Sequence, residues 1–129
     1  MIAIDTNVVV RYLTGDHPEQ SARARDLIDG HDVFVPITVI LEAEWVLRSA
    51  YRFSAAEVIG ALRAFGGLAT VAIDQAGLVA EALDRTDDGM DFADALHLGG
   101  SAHCKKMATF DRRFVTAASA TQAGFVEEI

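Results

Sequence analysis

The sequence predicts an α/β fold in which a mostly parallel sheet carries helices on both faces. Short apolar runs rich in β-branched residues, Ile2–Ile4, Val33–Val35, Thr70–Ile73 and Met107–Thr109, alternate with longer stretches whose apolar residues recur at helical spacing. Strands that alternate with helices pair in parallel through right-handed crossovers, and the helices then cover both faces of the sheet. With 129 residues, 51% of them apolar, the chain has the size of one domain with one core, and it is read as a single domain over 1–129.

The elements follow in order. Ile2 to Ile4 is a strand that runs into Asp5-Thr6-Asn7, three residues suited to capping a helix, and Val8 to Leu13 continues with helical spacing until Thr14-Gly15-Asp16 breaks it. Pro18 opens a second helix, with Ala22, Leu27 and Ile28 as its apolar stripe, which ends at Gly30. Val33-Phe34-Val35 is a buried strand stopped by Pro36. Ile37 to about Arg52 and Ala55 to Phe65 form two helices joined at Phe53-Ser54, and Gly66-Gly67 closes the second. Thr70 to Ile73 is the next strand, Gln75 to about Asp84 a helix, Asp87-Asp88-Gly89 a loop, and Phe92 to about His103 a helix. Met107-Ala108-Thr109 makes a fourth strand, and Gly124-Phe125-Val126 is a candidate fifth.

In such a sheet the ligand crevice lies at the carboxyl ends of the strands. Asp5 follows the first strand and Asp111 lies just past the fourth, so order alone puts both acids at that edge. Glu42 has Thr38, Val39, Trp45 and Val46 as helical neighbours, a largely apolar surface without a cation, and is read as inward-facing. Glu44 has Arg48 four residues on and is explained as a surface ion pair. Asp91 and Asp94 stand one turn apart at a helix start, with Asp91 suited to the N-cap and Asp94 to a ligand role. Converging, Asp5, Glu42, Asp94 and Asp111 would repel one another unless protons or hard cations lay between them, which points to a divalent metal and phosphodiester chemistry. Each acid also has an ordinary reading: Asp5 and Asp111 as helix caps, Glu42 as a rim carboxylate. Asn7 and Thr109 are polar companions of the first and last acids, and His97 follows Asp94 on the same face.

A net charge of −8 argues against a protein that coats nucleic acid broadly. Lys105, Lys106, Arg112 and Arg113 nevertheless surround Asp111 and allow a local basic rim. The single cysteine, Cys104, excludes an intrachain disulfide, and the four histidines show no zinc spacing. No signal peptide or membrane span is indicated, so a soluble, cytoplasmic protein is expected. Trp45 is read as core, although Trp45, Leu47, Tyr51 and Phe53 would also suit a partner patch.

The ordered motifs Ile4-Asp5-Thr6-Asn7, Val39-Ile40-Leu41-Glu42, Asp91-Phe92-Ala93-Asp94 and Thr109-Phe110-Asp111-Arg112-Arg113-Phe114 resemble those of PIN-domain proteins, specifically VapC-type toxins, over nearly the whole chain. The resemblance implies a three-layer α/β/α sandwich with a mostly parallel sheet of four to five strands. It implies a Mg²⁺- or Mn²⁺-dependent endoribonuclease acting on RNA, a homodimer, and a cognate basic antitoxin whose terminal segment enters the active-site groove. By the same resemblance the metal ligands and catalytic acids are Asp5, Glu42, Asp94 and Asp111, with Asp91 as a further candidate ligand and Asn7 and Thr109 as accessory residues. Two rivals stand beside this reading. One is a small phosphomonoesterase using Asp5 as nucleophile, and the other a regulatory binding protein whose acidic pocket receives an arginine or lysine.

Overall fold

Ile2–Ala3 (β1) lies parallel to Val33–Val35 (β2), with Ile2 opposite Val33 and Ala3 opposite Phe34. A computed structural model describes residues 1–120 and 125–129. The chain divides into two compact units, Met1–Ala76 and Gly77–Ile129.

In the first unit, β2 also pairs in parallel with Val71–Ile73 (β3), giving the strand order β1-β2-β3. The central strand carries the sheet's burial: Val33 and Val35 are wholly inaccessible, as expected for a parallel strand with neighbours on both sides. Between β1 and β2 the chain forms α1 (Thr6–Thr14) and α2 (Pro18–Gly30). Gly15, with φ 64°, ends α1 by adopting the left-handed conformation that a residue with a Cβ resists. Pro18 takes the first position of α2, where its missing N–H costs nothing, and the His17 ring nitrogen accepts from Gln20 N at 3.1 Å.

Between β2 and β3 run α3 (Ile37–Ser49) and α4 (Ala55–Gly66). The sequence suggests that α3 continues to about Arg52. It ends three residues sooner because the chain turns over Ala50–Arg52, with Tyr51 N bonding the Val46 carbonyl, Phe53 N the Leu47 carbonyl, and Arg52 at φ 56°. Ser54 and Glu57 then form a reciprocal capping box that starts α4, their bonds 3.1 and 2.9 Å.

The second unit begins one residue into α5 (Ala76–Asp87) and continues with α6 (Phe92–Gly100), β4 (Met107–Thr109), α7 (Arg112–Ala120) and β5 (Val126–Glu128). Strands β4 and β5 pair in parallel, Thr109 opposite Glu128. Helix α6 stops at Gly100, short of the expected His103, since consecutive glycines weaken its last turn. Gly99 also permits close packing inside this unit: a Cβ there would lie 2.2 Å from Leu78 Cδ1. The expected fifth strand is found at Val126–Glu128, while Gly124 lies outside the described residues. The outcome is an α/β structure whose short strands all pair in parallel, hydrogen-bonded among the described residues as a sheet of three and a sheet of two. No described helix is long and apolar enough to cross a membrane.

Candidate functional site

The first unit positions Asp5, Asn7 and Glu42. Ile4 is buried and its N–H bonds the Phe34 carbonyl at 3.0 Å, which fixes the chain as it leaves β1. Asp5 follows in the N-cap position, its carbonyl accepting from Val9 N at 3.3 Å, but its side chain makes no capping hydrogen bond. The carboxylate is exposed and is not used as a cap. Thr6, which is buried, sends its hydroxyl to Oε1 of Glu42 on α3, so the residue after Asp5 is tied directly to the second acid.

Glu42 and Glu44 exchange the environments expected for them. The buried stripe of α3 is Ile40, Ala43, Glu44 and Leu47, and Glu42 stands about 200° from Glu44 around the helix. Glu42 is therefore exposed, whereas Glu44 is 3% exposed and receives two guanidinium hydrogen bonds from Arg48, that from Nη2 at 3.0 Å. Trp45 is likewise no core residue: it is 58% exposed, and the Arg48 guanidinium carbon sits 5.4 Å from its ring centroid. Of the helical neighbours of Glu42, Thr38 and Trp45 are exposed and Val39 and Val46 only half-buried, so an apolar surround does not make this side of α3 the core-facing one.

A cleft of about 370 Å³ lies beside Asn7, lined by Asn7, Val8 and Arg11 of α1 and Gln20, Arg23, Ala24 and Leu27 of α2. Arg11 is held by Gln20 at 2.9 Å, the Tyr51 hydroxyl at 2.9 Å and Asp16 at 3.3 Å. Tyr51 in turn donates to Asp16 at 2.5 Å, which lowers the carboxyl pKa of Asp16 and raises that of the phenol. Sequence reasoning did not single out this network, whose members share no local motif.

The second unit positions Asp91, Asp94, Thr109 and Asp111. Asp91 is the N-cap of α6 and accepts from Asp94 N at 3.2 Å, as its place before the helix suggested. Asp94 is half-buried, and its carboxyl pKa is raised above the ordinary value, first by burial, then by the negative charges of Asp91 and Asp111, with His97 acting the other way. Asp94 therefore feels the charges of Asp91, Asp111 and His97. Asp111 caps α7: its Oδ1 accepts from Arg113 N at 2.9 Å and Phe114 N at 3.4 Å. Its own N–H donates to Thr109 Oγ1 at 3.0 Å, so Thr109 orients the turn that presents the acid.

The basic rim around Asp111 is partly neutralised. Lys106 pairs with Glu127 at 3.0 Å and Arg112 with Glu128 at 3.0 Å, both acids on β5. Among the described residues, no three Asp, Glu, His or Cys side chains stand close enough together to hold a metal ion. The acids are brought within electrostatic reach in the second unit, but not into a closed ligand set.

The model of the PIN domain family matches residues 2–119 and so runs across the boundary between the two units. The chain belongs to the PIN domain family. PIN domains are three-layer α/β/α folds, and the α/β build with parallel strands found here is of that class. PIN domains are generally nucleases, commonly with divalent metals, so membership supports a hydrolase that binds and cuts nucleic acid. No curated protein matches the chain.

Proposed function

We propose that this PIN domain is a Mg²⁺- or Mn²⁺-dependent endoribonuclease, the toxin of a toxin–antitoxin pair, with Asp5, Glu42, Asp94 and Asp111 as its metal-holding and catalytic acids. The observation that carries the reading is the raised pKa of Asp94, caused by burial beside the charges of Asp91 and Asp111. Repulsion of this kind is relieved by a proton or a cation, and a set made only of carboxylate oxygens suits a hard divalent ion.

Asp94 is the leading ligand, with Asp111 and Asp91 beside it. The side chain of Asp5 is not spent on capping, and Glu42 is oriented by Thr6. When bound, the ion supplies positive charge against the phosphate oxygens and makes water more acidic. The chain's own part is to hold RNA, to orient water and to accept its proton; with Asp5 and Asp94 holding the ion, Glu42 and Asp111 are the acids left to serve as base. Asn7 and Thr109 are accessory: Thr109 fixes the backbone of Asp111, and Asn7 offers an amide two residues beyond Asp5. The toxin role, the basic antitoxin and the homodimer rest on the resemblance of the ordered motifs to VapC-type toxins, and the cytoplasmic setting on the single cysteine and the want of a signal-like or membrane-spanning run in the sequence.

Incubating the protein with total RNA in Mg²⁺ or Mn²⁺, in EDTA, and as the Asp94→Asn variant tests the reading. Cleavage is expected only for the wild type with metal. Undiminished cutting in EDTA would remove the metal from the account, and undiminished cutting by Asp94→Asn would remove that acid.

A further inference from the structure

Phe110 is 81% exposed, the most of any large apolar side chain among the described residues, and it immediately precedes the candidate catalytic acid Asp111. Leaving a phenyl ring in water forgoes roughly the burial energy of a core side chain, so the position is worth explaining. The backbone on each side of it is fixed. The Thr109 carbonyl accepts from Ile129 N at 3.0 Å, the Thr109 hydroxyl accepts from Asp111 N at 3.0 Å, and Asp111 caps α7. The ring is thus mounted on a tied turn and keeps only its side-chain freedom.

Its surroundings are charged. Arg112, Arg113 and Glu128, the last of these opposite Thr109 in the β4–β5 ladder, are exposed, as is Lys105 before β4. An exposed aromatic ring close in sequence to the exposed cations Lys105, Arg112 (paired with Glu128) and Arg113, and one residue from a candidate catalytic acid, matches the way single-stranded nucleic acid is held: bases stack on rings while cations meet phosphates. A contiguous apolar patch would speak for a protein partner; among the described residues of this unit the one further exposed large apolar side chain is Ile129, whose N–H bonds the Thr109 carbonyl.

We propose that Phe110 is a stacking platform for one base of single-stranded RNA next to the bond that is cut, and so a positioning residue. This rests on the ribonuclease reading above. Stacking is tolerant of base identity, so Phe110 selects unpaired over paired RNA rather than a sequence.

The test compares wild type, Phe110→Ala and Phe110→Trp on a short unstructured RNA in Mn²⁺, and on copies carrying one abasic ribose at each position beside the cut. Phe110→Ala is expected to raise KM by about five- to a hundred-fold with kcat little changed, and Phe110→Trp to restore the wild-type KM. One abasic position should raise the wild-type KM by a similar factor and add nothing in Phe110→Ala, since base and ring act as a pair. Wild-type KM values for Phe110→Ala, with the wild type cutting normally, would overturn the proposal and leave the nuclease reading intact. The same result with a changed sedimentation coefficient would assign Phe110 to a protein contact instead. If the wild type cuts none of the RNAs with metal present, the nuclease reading fails and the stacking role falls with it.

Discussion

The Thr6 hydroxyl donates to the Glu42 carboxylate, linking the start of α1 to the middle of α3. Thr6 is buried and Glu42 exposed, so the bond anchors an otherwise mobile long side chain from its protected end. Thr6→Val keeps the shape and removes the donor. It is expected to cost about 1 kcal/mol in urea unfolding and to reduce RNA cleavage, with Thr6→Ser close to wild type. Equal cleavage by Thr6→Val would detach Glu42 from the chemistry.

Arg48 neutralises Glu44, which is buried along the same stripe as Ile40, Ala43 and Leu47. Arg48→Met leaves that carboxylate without this cation and is expected to destabilise the fold by about 3 kcal/mol, whereas combining Arg48→Met with Glu44→Leu should recover most of the loss. Denaturant titration of the single and double variants checks this. A loss below about 0.5 kcal/mol for the single variant is what an ordinary surface pair would give.

Asp94 sets a pH dependence. Its folded-state pKa lies above the ordinary 3.8, so between that value and the raised one the folded chain binds more protons than the unfolded chain. Stability from this group therefore falls as pH rises through the window, and the deficit persists above it. In EDTA, Asp94→Asn should melt above wild type at neutral pH, the gap closing as pH approaches 3.8. A gap independent of pH would mean that the cost of ionising Asp94, through its burial and then its acidic neighbours, is not its source.

Capping and chemistry separate at Asp111. Asn accepts the same amide bonds without the charge, so Asp111→Asn should unfold within a few tenths of a kcal/mol of wild type, while Asp111→Ala loses about 1 kcal/mol of cap. Both are expected to lose RNA cleavage. A fully active Asp111→Asn would leave the residue a cap and nothing more.

Strands and most helix limits were legible because period and punctuation are local: Val33–Val35 and Met107–Thr109 fall where the apolar runs do, and Pro18 and Gly30 bound α2. The capping role of Asp91 was legible for the same reason. The faces of α3 were not. Its apolar residues spread around much of the helix, so spacing alone did not distinguish the buried stripe through Glu44 from the exposed side with Glu42 and Trp45. The bond from Thr6 to Glu42 and the Arg11–Asp16–Tyr51 network join residues far apart in sequence and leave no local pattern. The charge of Asp111 acting on Asp94 likewise joins residues distant in sequence, whereas that of Asp91 follows from their one-turn spacing.

The proposed function requires Asp5, Glu42, Asp94 and Asp111 each to support binding of the divalent cation on which RNA cleavage would depend. A Mn²⁺ titration followed by electron paramagnetic resonance of the free ion, on wild type and on Asp5→Asn, Glu42→Gln, Asp94→Asn and Asp111→Asn, tests it most directly. Binding about ten- to a hundred-fold weaker in the variants, with cleavage lost in the same samples, is the expected result. Wild-type Mn²⁺ affinity in all four would contradict the account.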